Sequence, residues 1–201
     1  MKRRTTSRKG GGGIIRQLQA ENSRLRAELQ SLQHVRDLAY RDALTGLRNR
    51  RYFDERMAEE LSRSRRHRTC GGLILVDLDD FKQVNDAHGH LAGDRLLQRL
   101  ARFLEETLRT EDVVCRVGGD EFMVILPDAD EPGAVKIASR LQEQLALASQ
   151  WSGSPISVSL GAAAWPLHGC DLEALVERAD HAMYRDKARR KAGHVPVNQA
   201  A

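Results

Sequence analysis

The chain is expected to fold as an α/β sandwich, with helices packed on a mixed sheet. Three observations point there. "GLILVD" (72–77) is a continuous apolar run ending in an acid, the pattern of a strand buried on both faces. "DVVCRVGGDEFMVILP" (112–127) places a Gly-Gly pair between two apolar runs, the pattern of a hairpin. Segments with helical spacing of apolar residues alternate with these strands, so helices must cover the sheet.

The elements follow in order. "MKRRTTSRKGGGG" (1–13) holds five Lys/Arg and no acid, and reads as a disordered basic tail with a flexible glycine joint. Residues 14–40 form a helix with a heptad pattern: Ile15, Asn22 and Leu29 fall at position a, and Leu18, Leu25 and Leu32 at d. That is a coiled-coil seam over about three heptads. Asn22 at a would pair with its twin in a parallel homodimer and fix the register. The alternative is a single amphipathic helix packed on its own domain. A turn then leads into a helix over about 50–66. After the strand at 72–77 come a short helix, a His-Gly-His turn and a long helix whose Leu96, Leu97, Leu100 and Leu104 share one face. The hairpin, a helix over 134–148, the strand "PISVSLGAAA" and a helix from Asp171 to about Lys191 complete a domain over 41–193. A tail over 194–201 follows.

The chain has 201 residues and a net charge of +4, with a pI near 9.2. Five positive charges and no negative one lie in the first 13 residues, so the remainder is near neutral. A broad nucleic-acid-binding face is thereby disfavoured, and no DNA partner is expected. Cys70, Cys115 and Cys170 are odd in number, far apart and form no CxxC pair, which fits a reducing compartment. No apolar run approaches the roughly 20 residues that span a bilayer, and the basic N-terminus lacks the apolar core of a secretory signal. The expectation is a cytoplasmic protein without membrane attachment.

Asp77, Asp79 and Asp80 lie at the end of an apolar strand, and Asp120 and Glu121 leave the hairpin turn. If the two strands are neighbours, Asp77 and Asp120 meet. Two bare carboxylates held together repel and call for a cation between them. Hard oxygen ligands suit Mg²⁺ (or Mn²⁺), with substrate phosphates completing the shell, as in metal-assisted phosphoryl or nucleotidyl transfer. On these residues alone, solvated loop acids remain an equal alternative. His88 and His90 read as turn and packing residues rather than a metal pair.

"RVGGDEF" (116–122) resembles the signature of the GGDEF family, the diguanylate cyclases. "DALTGLRNRRYF" (42–53), "LVDLDDFKQVNDAHGHLAGDRLL" (75–97), "ISVSLGAAAWP" (156–166) and "ERADHAMYRDKARRKAG" (177–193) are similar to other segments of that family, in the same order. The resemblance implies a fold like the nucleotidyl-cyclase and polymerase palm. It implies an enzyme in which two copies each hold one GTP and together form cyclic di-GMP, releasing two pyrophosphates. It implies that Asp77, Asp120 and the Leu78 carbonyl hold divalent ions. Glu121 would share the metal and assist deprotonation of the 3′-hydroxyl. Gly118 and Gly119 would admit the phosphates, Phe81 and Lys82 would offer backbone amides to them, and Lys187 would meet the terminal phosphate. Asn85 and Asp94 would read guanine, because a carboxylate accepts from guanine N1–H and the 2-amino group.

"RTED" carries Arg109 and Asp112 at the offset of the family's RxxD product-inhibition site, with Arg140 as a second arginine for cyclic di-GMP. Its alternative is a helix-end Arg–Asp pair. The family usually follows its last-helix lysine with "GRN"; here "RKA" leaves Lys191, or neighbouring Arg190, in place of a phosphate-binding arginine. An ammonium lacks the guanidinium's bidentate fork. Two other readings are a catalytically silent cyclic di-GMP receptor and a cyclase accepting ATP. Intact Asp77, Asp120 and Glu121 argue against the first, Asp94 against the second.

Overall fold

The computed structural model describes residues 11–151 and 156–193. The chain divides into two units, residues 1–40 and 41–201. The first is a single helix, α1 (Gly11–Ala39). It opens three residues earlier than the seam reading, inside the glycine run; the tail over 1–10 and that over 194–201 lie outside the described residues. The seam residues Ile15, Leu18, Leu25, Leu29 and Leu32 are all exposed on it, by 56–62%.

In the second unit the order is β1 (Arg48–Asn49), α2 (Arg50–His67), β2 (Gly71–Leu78), α3 (Phe81–His88), α4 (His90–Thr107), β3 (Val113–Arg116), β4 (Glu121–Pro127), α5 (Glu131–Trp151), β5 (Val158–Trp165) and α6 (Leu172–Gly193). Every expected helix and strand is present. The two-residue β1 was not expected; it is too short to carry a period, and its parallel pairing with β3, with an antiparallel bridge from Arg48 to Arg41, defines it. Asn49 caps α2, its side chain accepting from the Tyr52 N–H at 3.1 Å.

The sheet runs β1-β3-β4-β2-β5. All pairs except β1–β3 are antiparallel, so the sheet is mixed as expected. Strand alternation divides the core in two. Ile74, Val76 and Leu78 of β2, with Phe122 and Val124 of β4, face Leu97, Leu100 and Leu104 of α4 and Leu141 of α5. Leu73 and Leu75, with Met123 and Ile125, face Phe53 and Met57 of α2 and Leu175 and Ala179 of α6. Gly161 sets the depth of α6: a Cβ there would fall on the Ala179 carbonyl and within 2.6 Å of the Met183 nitrogen. The helix therefore seats directly on β5. Asp186 completes the seat, its Oδ2 accepting from the Leu160 N–H (3.2 Å) on this edge strand and from Gln142 Nε2 of α5 (2.8 Å).

Candidate active site

The acids converge because β2 and β4 are neighbours. Asp77 stands opposite Glu121 in the antiparallel register, and the Leu78 N–H donates to the Asp120 carbonyl at 3.3 Å. Asp77 continues the Leu73–Leu75 side of β2, the side that α6 covers. Lys187 of α6 uses this: its Nζ donates to Asp77 Oδ2 at 2.6 Å. That hydrogen bond raises the Lys187 pKa; burial opposes it, and the charges of Asp77, Asp79 and Asp120 add to it. An ammonium thus sits on the carboxylate expected to bind a metal, with two more carboxylates in electrostatic reach, rather than projecting free toward a terminal phosphate.

The Gly-Gly turn closes with the Val117 and Gly118 N–H groups donating to the Glu121 carbonyl (3.0 and 3.3 Å). Neither glycine takes a positive φ, so left-handed freedom is not what the turn requires of them. A Cβ on Gly118 would meet Glu121 Oε2, the far end of an exposed side chain that can swing aside. A Cβ on Gly119 would meet nothing within 4 Å, which leaves that side open for an approaching ligand. Phe122, 1% exposed, anchors the strand beyond.

Arg116 holds the turn. Its Nε and Nη2 donate to the Gly119 carbonyl (3.2 and 2.7 Å), and its Nη1 to Asp42 Oδ1 (3.0 Å). Asp42 Oδ1 also accepts from the Thr45 N–H (2.8 Å) and hydroxyl (2.7 Å). Burial pushes the Asp42 carboxyl up, but the Thr45 and Arg116 hydrogen bonds and the Arg116 charge outweigh it, and the net pKa is lowered.

The β2–α3 loop is tied to β5. Asp79 accepts from the Ser157 and Ser159 hydroxyls, each at 2.6 Å, and its N–H donates to the Ser157 carbonyl at 3.0 Å. Asp80 follows in the left-handed region (φ 55°), and α3 begins at Phe81. The Phe81 and Lys82 amides therefore stand in the first turn of a helix, where N–H groups lack intrahelical partners. Gly89 (φ 79°) then folds α4 back on α3. This places Asn85 against Gly93, next to Asp94: a Cβ on Gly93 would fall on Asn85 Oδ1, which is buried without a donor. His88 and His90 are exposed at that bend.

The RTED segment is a tight turn on the far side of β3. The Arg109 N–H donates to Asp112 Oδ2 (2.9 Å), and the Asp112 N–H to the Arg109 carbonyl (3.1 Å). Burial raises the Asp112 pKa, opposed by the Arg109 hydrogen bond and the Arg109 and Arg140 charges. Arg109 and Asp112 line a groove of about 450 Å³ together with Arg41, Arg48 and Tyr52. Arg140 Nη2 donates to the Thr107 carbonyl at 3.4 Å. The side chains of Arg190 and Lys191 lie outside the described residues.

The chain matches the family described as diguanylate cyclase, GGDEF domain, over residues 39–192. It belongs to the GGDEF family. It is 40% identical over 160 residues to the diguanylate cyclase DgcP of Pseudomonas aeruginosa, covering 78% of this chain and 24% of that relative. The chain thus spans about a quarter of DgcP. A sensory box/GGDEF family protein from Caulobacter crescentus superposes with a TM-score of 0.66 at 39% identity, over 75% of this chain and 99% of that structure. The coiled coil and GGDEF domain of DgcB from Caulobacter crescentus, in complex with c-di-GMP, superposes with a TM-score of 0.74 at 25% identity, over 88% and 95% of the two chains. As a GGDEF domain, the sheet and its flanking helices have the cyclase palm-like arrangement. No described helix is long and apolar enough to cross a membrane.

Reading the sequence overlooked Asp42, Arg116, Asp79, Ser157, Ser159 and Asp186 as positioning residues. Asp42 had a local signal, since an Asp three residues before a Thr is a side-chain-capped turn. Arg116 has one local partner, the Gly119 carbonyl three residues on; the other bonds span 26 to 80 residues of sequence and carry no local signal.

Proposed function

We propose that the chain is a diguanylate cyclase: two copies, each with one GTP, form cyclic di-GMP and release two pyrophosphates. The observation that carries this reading is the Lys187 ammonium seated on Asp77 beside the charges of Asp79 and Asp120. These carboxylates attract a cation, which supports reading them as donors for a hard divalent ion. Among the described residues no three carboxylate, imidazole or thiolate groups stand close enough to hold an ion unaided. Mg²⁺ takes one or two protein carboxylates and fills its shell with phosphate oxygens and water.

Asp77 and Asp120, with the Leu78 carbonyl, would hold the ion. When bound, it supplies charge neutralisation and a lowered 3′-hydroxyl pKa. Glu121, opposite Asp77, handles the proton leaving the 3′-oxygen. The Phe81 and Lys82 amides and the open side of Gly119 receive the phosphates, and Lys187 and Lys191 add positive charge. Asn85 and Asp94 select guanine. The two half-sites are brought together by parallel pairing of α1 along its exposed a and d residues. Arg109, Asp112 and Arg140 form an inhibitory site for the product.

Purified chain is incubated with Mg²⁺ and either GTP or ATP, and the products are separated by chromatography. Cyclic di-GMP from GTP alone is expected. An adenine dinucleotide from ATP would overturn the guanine reading. Tight cyclic di-GMP binding without turnover would replace the enzyme with a receptor. Arg109→Ala should relieve inhibition by added product; an unaltered inhibition curve removes the inhibitory site.

A further inference from the structure

The position of Lys187 is built rather than incidental. Gly161 lets α6 seat on β5, and Asp186 fixes the same turn by accepting from the Leu160 N–H and from Gln142. One residue later, Lys187 reaches across β5, whose Ser159 is the register partner of Asp77, and donates to Asp77 Oδ2. The pair is partly exposed, with side-chain exposures of 35% for Lys187 and 15% for Asp77. Charge-assisted hydrogen bonds of this length are stronger than neutral ones. Asp77 therefore already has a cation.

We propose that Lys187 is a resident counter-cation that keeps Asp77 from binding a free divalent ion until a nucleoside triphosphate draws the ammonium away. The inference rests on the reading of Asp77 as a metal ligand. Lys187 then has two successive partners, a carboxylate in the empty site and phosphate oxygens in the filled one. Ion and nucleotide enter together because neither displaces Lys187 well alone. Asp186 is the positioning residue that holds the lysine at this distance.

The test is Mn²⁺ binding to the full chain without nucleotide, followed by the electron paramagnetic resonance signal of the free ion. Lys187→Met and Lys187→Gln are compared with wild type, each checked by thermal unfolding. Both variants should bind Mn²⁺ roughly tenfold tighter, the scale of one lost charge-assisted contact on a partly exposed pair. Adding Asp77→Asn to either variant should abolish the gain. A non-reactive GTP analogue should raise Mn²⁺ affinity more in wild type than in the variants. Mn²⁺ binding no tighter in both variants, or a gain that survives Asp77→Asn, overturns the proposal. A wild-type chain that forms no cyclic di-GMP while the Mn²⁺ gain is present overturns the cyclase reading and supports this one.

Discussion

Asp42→Ala tests whether the Gly-Gly turn is held from a distance. The substitution removes two hydrogen bonds from Thr45 and one charge-assisted bond from Arg116. All three end on the Asp42 carboxylate, and a bond to a charged group contributes about 1.5–3 kcal/mol before solvent screening. Asp42 is 23% exposed, and Arg116 keeps its bonds to Gly119, so the sum is discounted to about 2–3 kcal/mol. For a domain of this size that is a fall in Tm of about 4–12 °C. Turnover should fall by about tenfold or more, because Arg116 loses the anchor from which it fixes Gly119 beside Asp120. The pH dependence has a definite sign. The folded pKa of Asp42 is lowered, so its stabilisation is complete above the ordinary value of 3.8 and is lost as pH falls through the lower folded value. The Tm difference between wild type and variant should therefore be full at neutral pH and shrink below about pH 4. Thermal unfolding at several pH values and a product-formation assay measure both effects. A Tm within 2 °C of wild type and unchanged turnover would refute the reasoning.

Gly161→Ala puts a methyl group against two backbone atoms of α6 that cannot step aside. A destabilisation of at least about 3 kcal/mol is expected by chemical unfolding, at the upper end for overpacking; a mild loss would mean that α6 seats elsewhere. Asp79→Ala frees the β2–α3 loop from Ser157 and Ser159, and kcat/KM for GTP should fall about tenfold to a hundredfold. The Ser157→Ala, Ser159→Ala double variant should reproduce the loss, and an unaffected double variant would contradict it. Gly93→Ala displaces the Asn85 amide, so KM for GTP should rise about tenfold with kcat little changed. Equal GTP kinetics in variant and wild type would remove Asn85 from base recognition.

The sequence made the sheet legible where strands are buried on both faces. "GLILVD" and "FMVIL" carry the continuous apolar run of an interior strand, and β2 and β4 occupy the middle of the sheet. The helices were legible from their apolar stripes. β1 was not, because two residues carry no pattern and its partner β3 lies 67 positions away. At the site, the sequence carried the meeting of the acids only as a condition, that the two strands be neighbours, and the β2–β4 pairing meets it. The Gly-Gly pair was legible as a hairpin turn, whereas the nearness of Glu121 Oε2 to Gly118 was not. The Lys187–Asp77 contact was out of reach, since it depends on how deeply α6 settles on β5. So were the Arg116–Asp42 and Asp79–serine anchors, whose partners are chosen by tertiary packing.

The most direct test of the central claim is the initial rate of cyclic di-GMP formation per chain, from GTP and Mg²⁺, over a range of chain concentrations. Wild type and Asp120→Ala are compared. Two half-sites around Asp77 and Asp120 predict a wild-type rate per chain that rises with concentration to a plateau, and an Asp120→Ala rate at background throughout. Equal product from Asp120→Ala, or no product from wild type at any concentration, would contradict it.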